Sequence, residues 1–371
     1  MNRILPGRVL TSAWLFLALA AAAQPGLIRV GEDGKHFAFP DSGAEFKPWG
    51  FNYDHDTSNR LLEDYWQAEW ERVAADFRQM KALGANTVRI HLQVARFLKS
   101  EREMDRGSLE QLGRLLALAE RTGLYLDVTG LGCYRRSDTP KWYNELDERA
   151  RWEAQARFWE AVAGTCRRSR AVFCYDLMNE PIVTEDKAHR DWTPGEFAGM
   201  CFVQRLTLDL KGRSQQEIAR AWVDKLAAAI RKHDSRHLIT VGAIPWSLTW
   251  PKAKPIIYSP LAGRRLDFVS IHVYPKKGEV AQALAALAAY HTGKPMVIEE
   301  LFPLNCSVAE LDAFIEGSKA TATGWLGFYW GKTIADYKRQ KGSIGDALTL
   351  EWLEYFVKKT PEIAGPAPGA R

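Results

Sequence analysis

Cysteine is scarce and unpatterned in this chain: five among 371 residues, none in a C-x-x-C pair. That argues against a zinc ribbon or a redox dithiol. An odd count leaves at least one of Cys133, Cys166, Cys174, Cys201 and Cys306 without an intramolecular partner. Cys133 and Cys201 fall in predicted loops and could pair; buried free thiols are the alternative. There is no basic block with interleaved aromatics, and the formal net charge is only +5, so a nucleic-acid partner is not expected. Long apolar runs are confined to the extreme N-terminus, and a mean hydropathy of -0.28 excludes a multi-span membrane protein. No linker rich in Pro, Gly or Ser divides the chain, and no internal repeat is visible. What is present is a globular balance of 46% hydrophobic and 26% charged residues, together with 14 tryptophans, a count that needs explaining.

Residues 1–23 carry Arg3 and Arg8, then an apolar run from Ala13 to Ala23 that ends in small residues before Gln24-Pro25. A basic start, a short apolar stretch and an A-x-A site predict a secretory signal peptide, removed after Ala23. The run is short against the ~20 residues of a bilayer span. The expected mature chain, residues 24–371, is therefore secreted or periplasmic, with no membrane contact after cleavage. A monomer is expected.

From about residue 28 a small hairpin is predicted, turning at Gly31-Glu32-Asp33-Gly34. Beyond it, short apolar runs alternate with longer amphipathic ones. The candidate strands are 48–53, 86–91, 124–129, 172–177, 238–241, 266–271, 295–299 and 324–329, rich in Val, Ile, Leu and aromatics. Helical spacing falls between them at 70–83, 109–121, 150–166, 215–232, 278–291, 308–318 and 345–357. The fifth helix, near 251–258, is the poorest, with two prolines in its window. Eight alternations predict a single α/β domain, a (β/α)8 TIM barrel with a short N-terminal hairpin. A doubly wound open sheet is the runner-up, but no glycine-rich phosphate loop follows the first strand. The longest stretch without predicted structure, 182–214, is expected to be functional or mobile.

In such a barrel, catalytic groups come from the C-terminal ends of several strands. Those ends supply Asn52-Tyr53, Arg89 and His91, Asp127 and Thr129, Asn179-Glu180-Pro181, His272-Val273-Tyr274, Glu299-Glu300 and Tyr329-Trp330. Two carboxylates on opposite walls suit attack on a sugar acetal, one protonated to donate to the leaving oxygen and one ionised to attack. Asn179-Glu180-Pro181 after an apolar strand, Glu300 in Lys294-Pro295-Met296-Val297-Ile298-Glu299-Glu300, and His272-x-Tyr274 between them resemble glycoside hydrolase family 5. Asn86-Thr87-Val88-Arg89-Ile90 and Trp330 extend the resemblance over about residues 28–358.

The resemblance implies a retaining β-glycoside hydrolase of the cellulase and mannanase type, acting on an oligo- or polysaccharide. It makes Glu180 the acid/base and Glu300 the nucleophile. Asn179 would bind the sugar 2-hydroxyl, Arg89 and Tyr274 would hydrogen-bond Glu300, His272 would sit beside Glu180, and Trp330 would lie under the sugar. Arg89 would keep Glu300 ionised. No cofactor or metal is implied.

Strand alternation keeps Glu299 and Glu300 from both facing inward, and the family's spacing favours Glu300. The third strand departs from the family: Asp127-Val128-Thr129 stands where many members carry a His. The cluster Tyr53-Asp54-His55-Asp56 could bind substrate or, less in keeping with a retaining mechanism, hold a metal. Two other functions fit the pattern: a non-catalytic carbohydrate-binding barrel, and a hydrolase of small β-glycosides or glycolipids. Of the tryptophans, Trp142, Trp192, Trp246, Trp250 and Trp330 are expected on the substrate face.

Overall fold

The computed structural model describes residues 26–365 except Asp186 and Lys341. The expected signal segment lies outside them. Eight parallel strands run Trp49–Asn52 (β1), Thr87–Gln93 (β2), Tyr125–Gly132 (β3), Val172–Asp176 (β4), Leu238–Thr240 continued by Gly242–Ala243 (β5), Val269–His272 (β6), Met296–Glu300 (β7) and Gly324–Phe328 (β8). Each pairs with its neighbours in sequence, and β8 pairs with β1. The first half of β5 bonds to β4 and its second half to β6, so the break at Val241 lets one strand close the ring. Every barrel-strand position is buried, which is why these runs read as continuous apolar stretches rather than alternating ones.

The helices on the outside are Trp70–Ala82 (α1), Arg106–Thr122 (α2), Glu148–Cys166 (α3), Gln215–Arg231 (α4), Val280–Leu287 (α5), Val308–Ser318 (α6) and Ile344–Ile363 (α7). Their starts are set by local chemistry. Asp105 accepts a bond from the Ser108 amide at the head of α2, and Ser214, Ser307 and Ser343 form capping boxes with Glu217, Glu310 and Asp346. Gly123 ends α2 at φ +67°, a left-handed cap. No helix forms over 251–258. Pro251 and Pro255 leave β5 and β6 joined by a four-residue helix, Trp246–Thr249, and a 3-10 turn at Gly263–Arg265.

The predicted hairpin is present and gains a strand. Arg29–Val30, Phe37–Ala38 and Glu45–Phe46 form an antiparallel meander. Its Ile28, Phe37 and Phe46 pack against Tyr125, Phe173, Phe268, Val297 and Leu326 near the N-terminal ends of the strands, stoppering the end away from the site. The stretch 182–214 is not structureless. Pro181–Ile182 pairs in parallel with Gln204–Arg205, and Phe197 and Met200 exchange backbone bonds of 2.8 and 2.9 Å across Ala198-Gly199. No described helix is long and apolar enough to cross a membrane.

Candidate active site

Glu180 and Glu300 meet at the C-terminal mouth of the barrel. Glu300 is the last residue of β7. Glu180 follows β4, its amide donating to the Gly242 carbonyl of β5 at 2.8 Å. Its φ of +47° is a left-handed conformation that non-glycine residues seldom hold, the kind of strain that collects at functional sites. A carboxylate oxygen of Glu180, one of Glu300 and a ring nitrogen of His272 lie within 4.8 Å of one another.

Arg89, fully buried on β2, organises the floor. One terminal nitrogen donates to Glu300 Oε1 at 2.6 Å and to Asn52 Oδ1 at 3.0 Å. The other reaches Asp176 Oδ2 at 2.7 Å, Asn179 Oδ1 at 2.9 Å and Glu299 Oε2 at 3.5 Å. The Tyr274 hydroxyl donates to Glu300 Oε2 at 2.6 Å. His272 bridges the pair and the floor, with Nδ1 at 2.9 Å from Glu180 and 3.4 Å from Glu300, and Nε2 at 3.3 Å from Glu299. Burial opposes a charged imidazole there, but Glu300, Glu180 and Glu299 outweigh it and lift His272 to about 10.

Glu299 and Glu300 both face inward, contrary to strict alternation. The β6–β7 register steps from Ile271 opposite Ile298 to His272 opposite Glu300, a bulge that passes over Glu299. Glu299 thereby drops into the floor beside Asp127 and Asp176, their carboxylate oxygens within 4.8 Å. Three buried carboxylates that close cannot all ionise. Glu299 touches Arg89 and His272, whereas neither Asp127 oxygen has a hydrogen-bond partner. Asp127, with no hydrogen-bond donor of its own, is therefore the acid the floor favours in its neutral form. Burial and facing Glu299 hold Asp127 well above the usual carboxylate range, while Arg89 and His272 overcome burial to draw Glu299 down to about 2.

Arg89 is thus shared among three acids, and Glu300 does not receive its full charge. Burial pushes Glu300 above the ordinary glutamate range; His272 and Arg89 pull it back, and Glu180 adds to the rise. Arg89 and Tyr274 bond Glu300 as expected, and His272 adds a third pull toward the ionised form.

A cavity of about 770 Å³ opens above the pair. Glu180, Glu300, Asn179, Tyr274 and Trp330 line it, whereas Arg89 and His272 act from beneath. Asn179 is tied down on both ends, accepting from Arg89 and donating to the Phe202 carbonyl at 3.1 Å. Trp330 stacks on Phe328 with centroids 5.3 Å apart and meets Phe302 edge-on at 5.2 Å. Of the other tryptophans expected here, Trp246 lines the cavity and stacks on Trp250 at 5.3 Å. Trp142 and Trp192 do not line it. Trp192 is buried under Arg151, its indole N–H on the Asn144 carbonyl.

Thr129 does not replace the third-strand His at the cavity; it donates to Asp176 Oδ2 at 2.8 Å below. The imidazole on that wall is His91 of β2, bonded to the Tyr134 hydroxyl, and burial with the nearby Arg89 holds it neutral. The Tyr53–Asp56 cluster diverges. Tyr53 bonds Asp76, Asp56 pairs with Arg60 and Arg72, and only the Asp54–His55 pair, 2.8 Å apart, reaches the cavity. Those side chains do not converge as a metal's ligands would. All five cysteines are free, so Cys133 and Cys201 remain thiols.

Facing carboxylates over the mouth of a parallel barrel, clamped from beneath by an arginine, place the protein among the barrel glycosyl hydrolases. The particular family is equally plain. The family model for cellulase (glycosyl hydrolase family 5) matches residues 42–332, and the chain belongs to that family. Among solved structures, an exo-β-1,4-mannosidase from Opitutaceae bacterium strain TAV5 superposes with a TM-score of 0.65 at 19% identity, covering 90% of this chain and 62% of that one. A β-1,4-mannanase from the sea hare Aplysia kurodai gives 0.62 at 15%, over 93% and 100% of the two chains. The catalytic domain of an endoglucanase from Thermobifida fusca gives 0.57 at 14%, over 90% and 97%. No curated protein sequence matches the chain.

Proposed function

We propose that this family member is a secreted or periplasmic monomer that hydrolyses gluco- or manno-configured β-linked glycans, of β-1,4-glucan or β-mannan type, with retention of configuration. The observation that carries this is the approach of one carboxylate oxygen of Glu180 and one of Glu300 to within 4.8 Å. Retaining pairs stand ~5–5.5 Å apart, whereas inverting pairs need ~6.5–9.5 Å for a water. Glu300 attacks the anomeric carbon as Glu180 gives its proton to the leaving oxygen. Esterification removes the Glu300 charge, and Glu180, now a carboxylate, takes a proton from the water that releases the sugar. Asn179 holds one amide hydrogen for the 2-hydroxyl, and Trp330 supplies a flat apolar floor for the ring. The presence of both carboxylates counts against a purely carbohydrate-binding barrel. Export is supported by the N-terminal segment alone.

Glu300→Gln and Glu180→Gln should each lower turnover on an aryl β-glycoside by on the order of 10²–10⁴-fold or more. Azide should restore part of the Glu180→Gln rate as a β-glycosyl azide, read by proton NMR of the product. Near-full activity in both variants, or an inverted product, would refute the assignment. A second reading at the same site, small β-glycosides or glycolipids, is favoured by the apolar side chains Phe197, Met200, Phe202, Val203 and Ile244 that line the cavity.

A further inference from the structure

The cavity has two chemically different sides. Its polar groups, besides the two carboxylates, come from the strand ends and the stretch after β1: Asp54, His55, Asn59, His91, Asn179 and Tyr274. The segments on the acid's side are different. The stretch after β4 is drawn to Glu180 through the bond from Asn179 to the Phe202 carbonyl, and the stretch after β5 through the Glu180 amide on Gly242. Together they line the cavity with Phe197, Met200, Phe202, Val203, Ile244 and Trp246. The one charged side chain they add is Glu196, whose carboxylate is taken by Arg136 Nε at 3.1 Å. A sugar in that position would lose water from its hydroxyls and gain few partners, which is costly.

The apolar surface also continues outward. Among the described residues, the large exposed hydrophobics include Phe197 at 65%, Trp250 at 58% and Leu304 at 49%. Phe197 and Leu304 line the cavity, and Trp250 stacks on Trp246, which does too. The exposure of Phe197 is built in. The turn it opens has positive φ at both Ala198 (+49°) and Gly199 (+81°), a type I′ hairpin geometry that fixes the side chain at the tip. A compact aryl group would need only the enclosed wall. An occupant longer than the cavity would also use the rim.

We infer that the leaving group is a long alkyl chain, so that the substrate class is a β-glycolipid: sugar over Trp330, glycosidic oxygen at Glu180, hydrocarbon along Ile244, Phe202 and Phe197. This rests on the retaining assignment and its gluco- or manno-configured sugar, and develops the second reading above, with a hydrocarbon rather than a further sugar as the leaving group. The chemistry is unchanged, with the alcohol leaving as Glu180 protonates its oxygen and water completing the turnover.

The test is a chain-length series of methyl, butyl and octyl β-glucosides and β-mannosides, kept below their micelle concentrations, beside 4-nitrophenyl glycosides, cellotetraose and mannotetraose. A fully buried methylene is worth about fourfold in affinity, so butyl to octyl should raise kcat/KM by about tenfold or more. The same gain should appear in binding to Glu180→Gln by calorimetry, a readout independent of turnover. Phe197→Ser, at an exposed position where folding is not at stake, should flatten the octyl-to-butyl ratio. A flat alkyl series in rate and binding, with the tetraoses or the aryl glycosides preferred, would overturn the inference. Failure of the retaining reading looks different: an inverted product or an active Glu300→Gln variant, with the chain-length effect on binding intact.

Discussion

Glu299 and Glu300 are adjacent in the chain and touch the same guanidinium, one from the floor and one from the mouth. The consequence is an excess of carboxylates around His272, which faces Glu180, Glu299 and Glu300, with Arg89 as the nearby cation. Its ordinary value is 6.5 and its folded value about 10. A raised value means that the folded state holds the proton more tightly, so His272 contributes stability that is fully present below pH 6.5 and lost as pH rises through about 10. Calorimetric Tm should therefore decline across that window. Glu299→Gln removes one of the acids facing His272 and should bring the His272 imidazole titration, followed by NMR, to lower pH. An unmoved titration would sink the account of the floor. The residue identities here were legible: Arg89, Glu180, His272, Tyr274 and Glu300 were named from strand ends. Asp127 was named as well, but its protonated state was not, because a proton's position depends on how many carboxylates share one buried volume.

At the scale of elements, β5 does the most with the least. Its three-residue first half completes the pairing with β4, and Gly242 then passes directly over the floor. A Cβ at Gly242 would come within 2.4 Å of Glu299 Oε2, 2.7 Å of His272 Nε2 and 2.8 Å of Arg89 Nη2. All three side chains are buried and bonded, so none can swing away. Gly242→Ala should destabilise the fold by about 1–3 kcal/mol, as overpacked cores do. It should also depress kcat/KM far more than a stability loss of that size explains. Denaturant melts beside kinetics would check this, and unaltered kinetics would show that the floor tolerates displacement. The strands and seven of the helices were readable because buried parallel strands and amphipathic helices have distinct periods. Where the pattern was poor, at 251–258, the prolines prevailed and no helix formed.

For the whole molecule, the cysteines give a direct check on how the loops are held. Cys133, Cys166, Cys174 and Cys201 are buried, and Cys306 is partly exposed with its thiol pushed up to about 11 by burial. A thiol reagent at neutral pH should therefore label the native protein slowly, at Cys306, and label all five cysteines once it is denatured. Two thiols that stay unreactive under denaturation would reveal a Cys133–Cys201 bridge instead. The tryptophans sort at this scale too. Trp49 stacks on Phe356 of α7 at 4.4 Å and Trp352 donates to the Phe328 carbonyl, so much of the count fastens helices to the barrel. Trp330 and Trp246 are left to line the cavity.

The order of strands and helices, the family, and the residues at the strand ends were determined by the sequence alone, because they follow from periods of two to four residues and from short motifs. Tertiary structure decided the rest. The bulge that turns Glu299 inward is set by the register between β6 and β7. The upward push on Asp127 is set by burial and by acids that arrive from β4 and β7, against Arg89 of β2. The apolar wall beside Glu180 forms only when the stretch after β4 folds back over the mouth. Each depends on which distant segments share a volume, and local pattern carries no record of that.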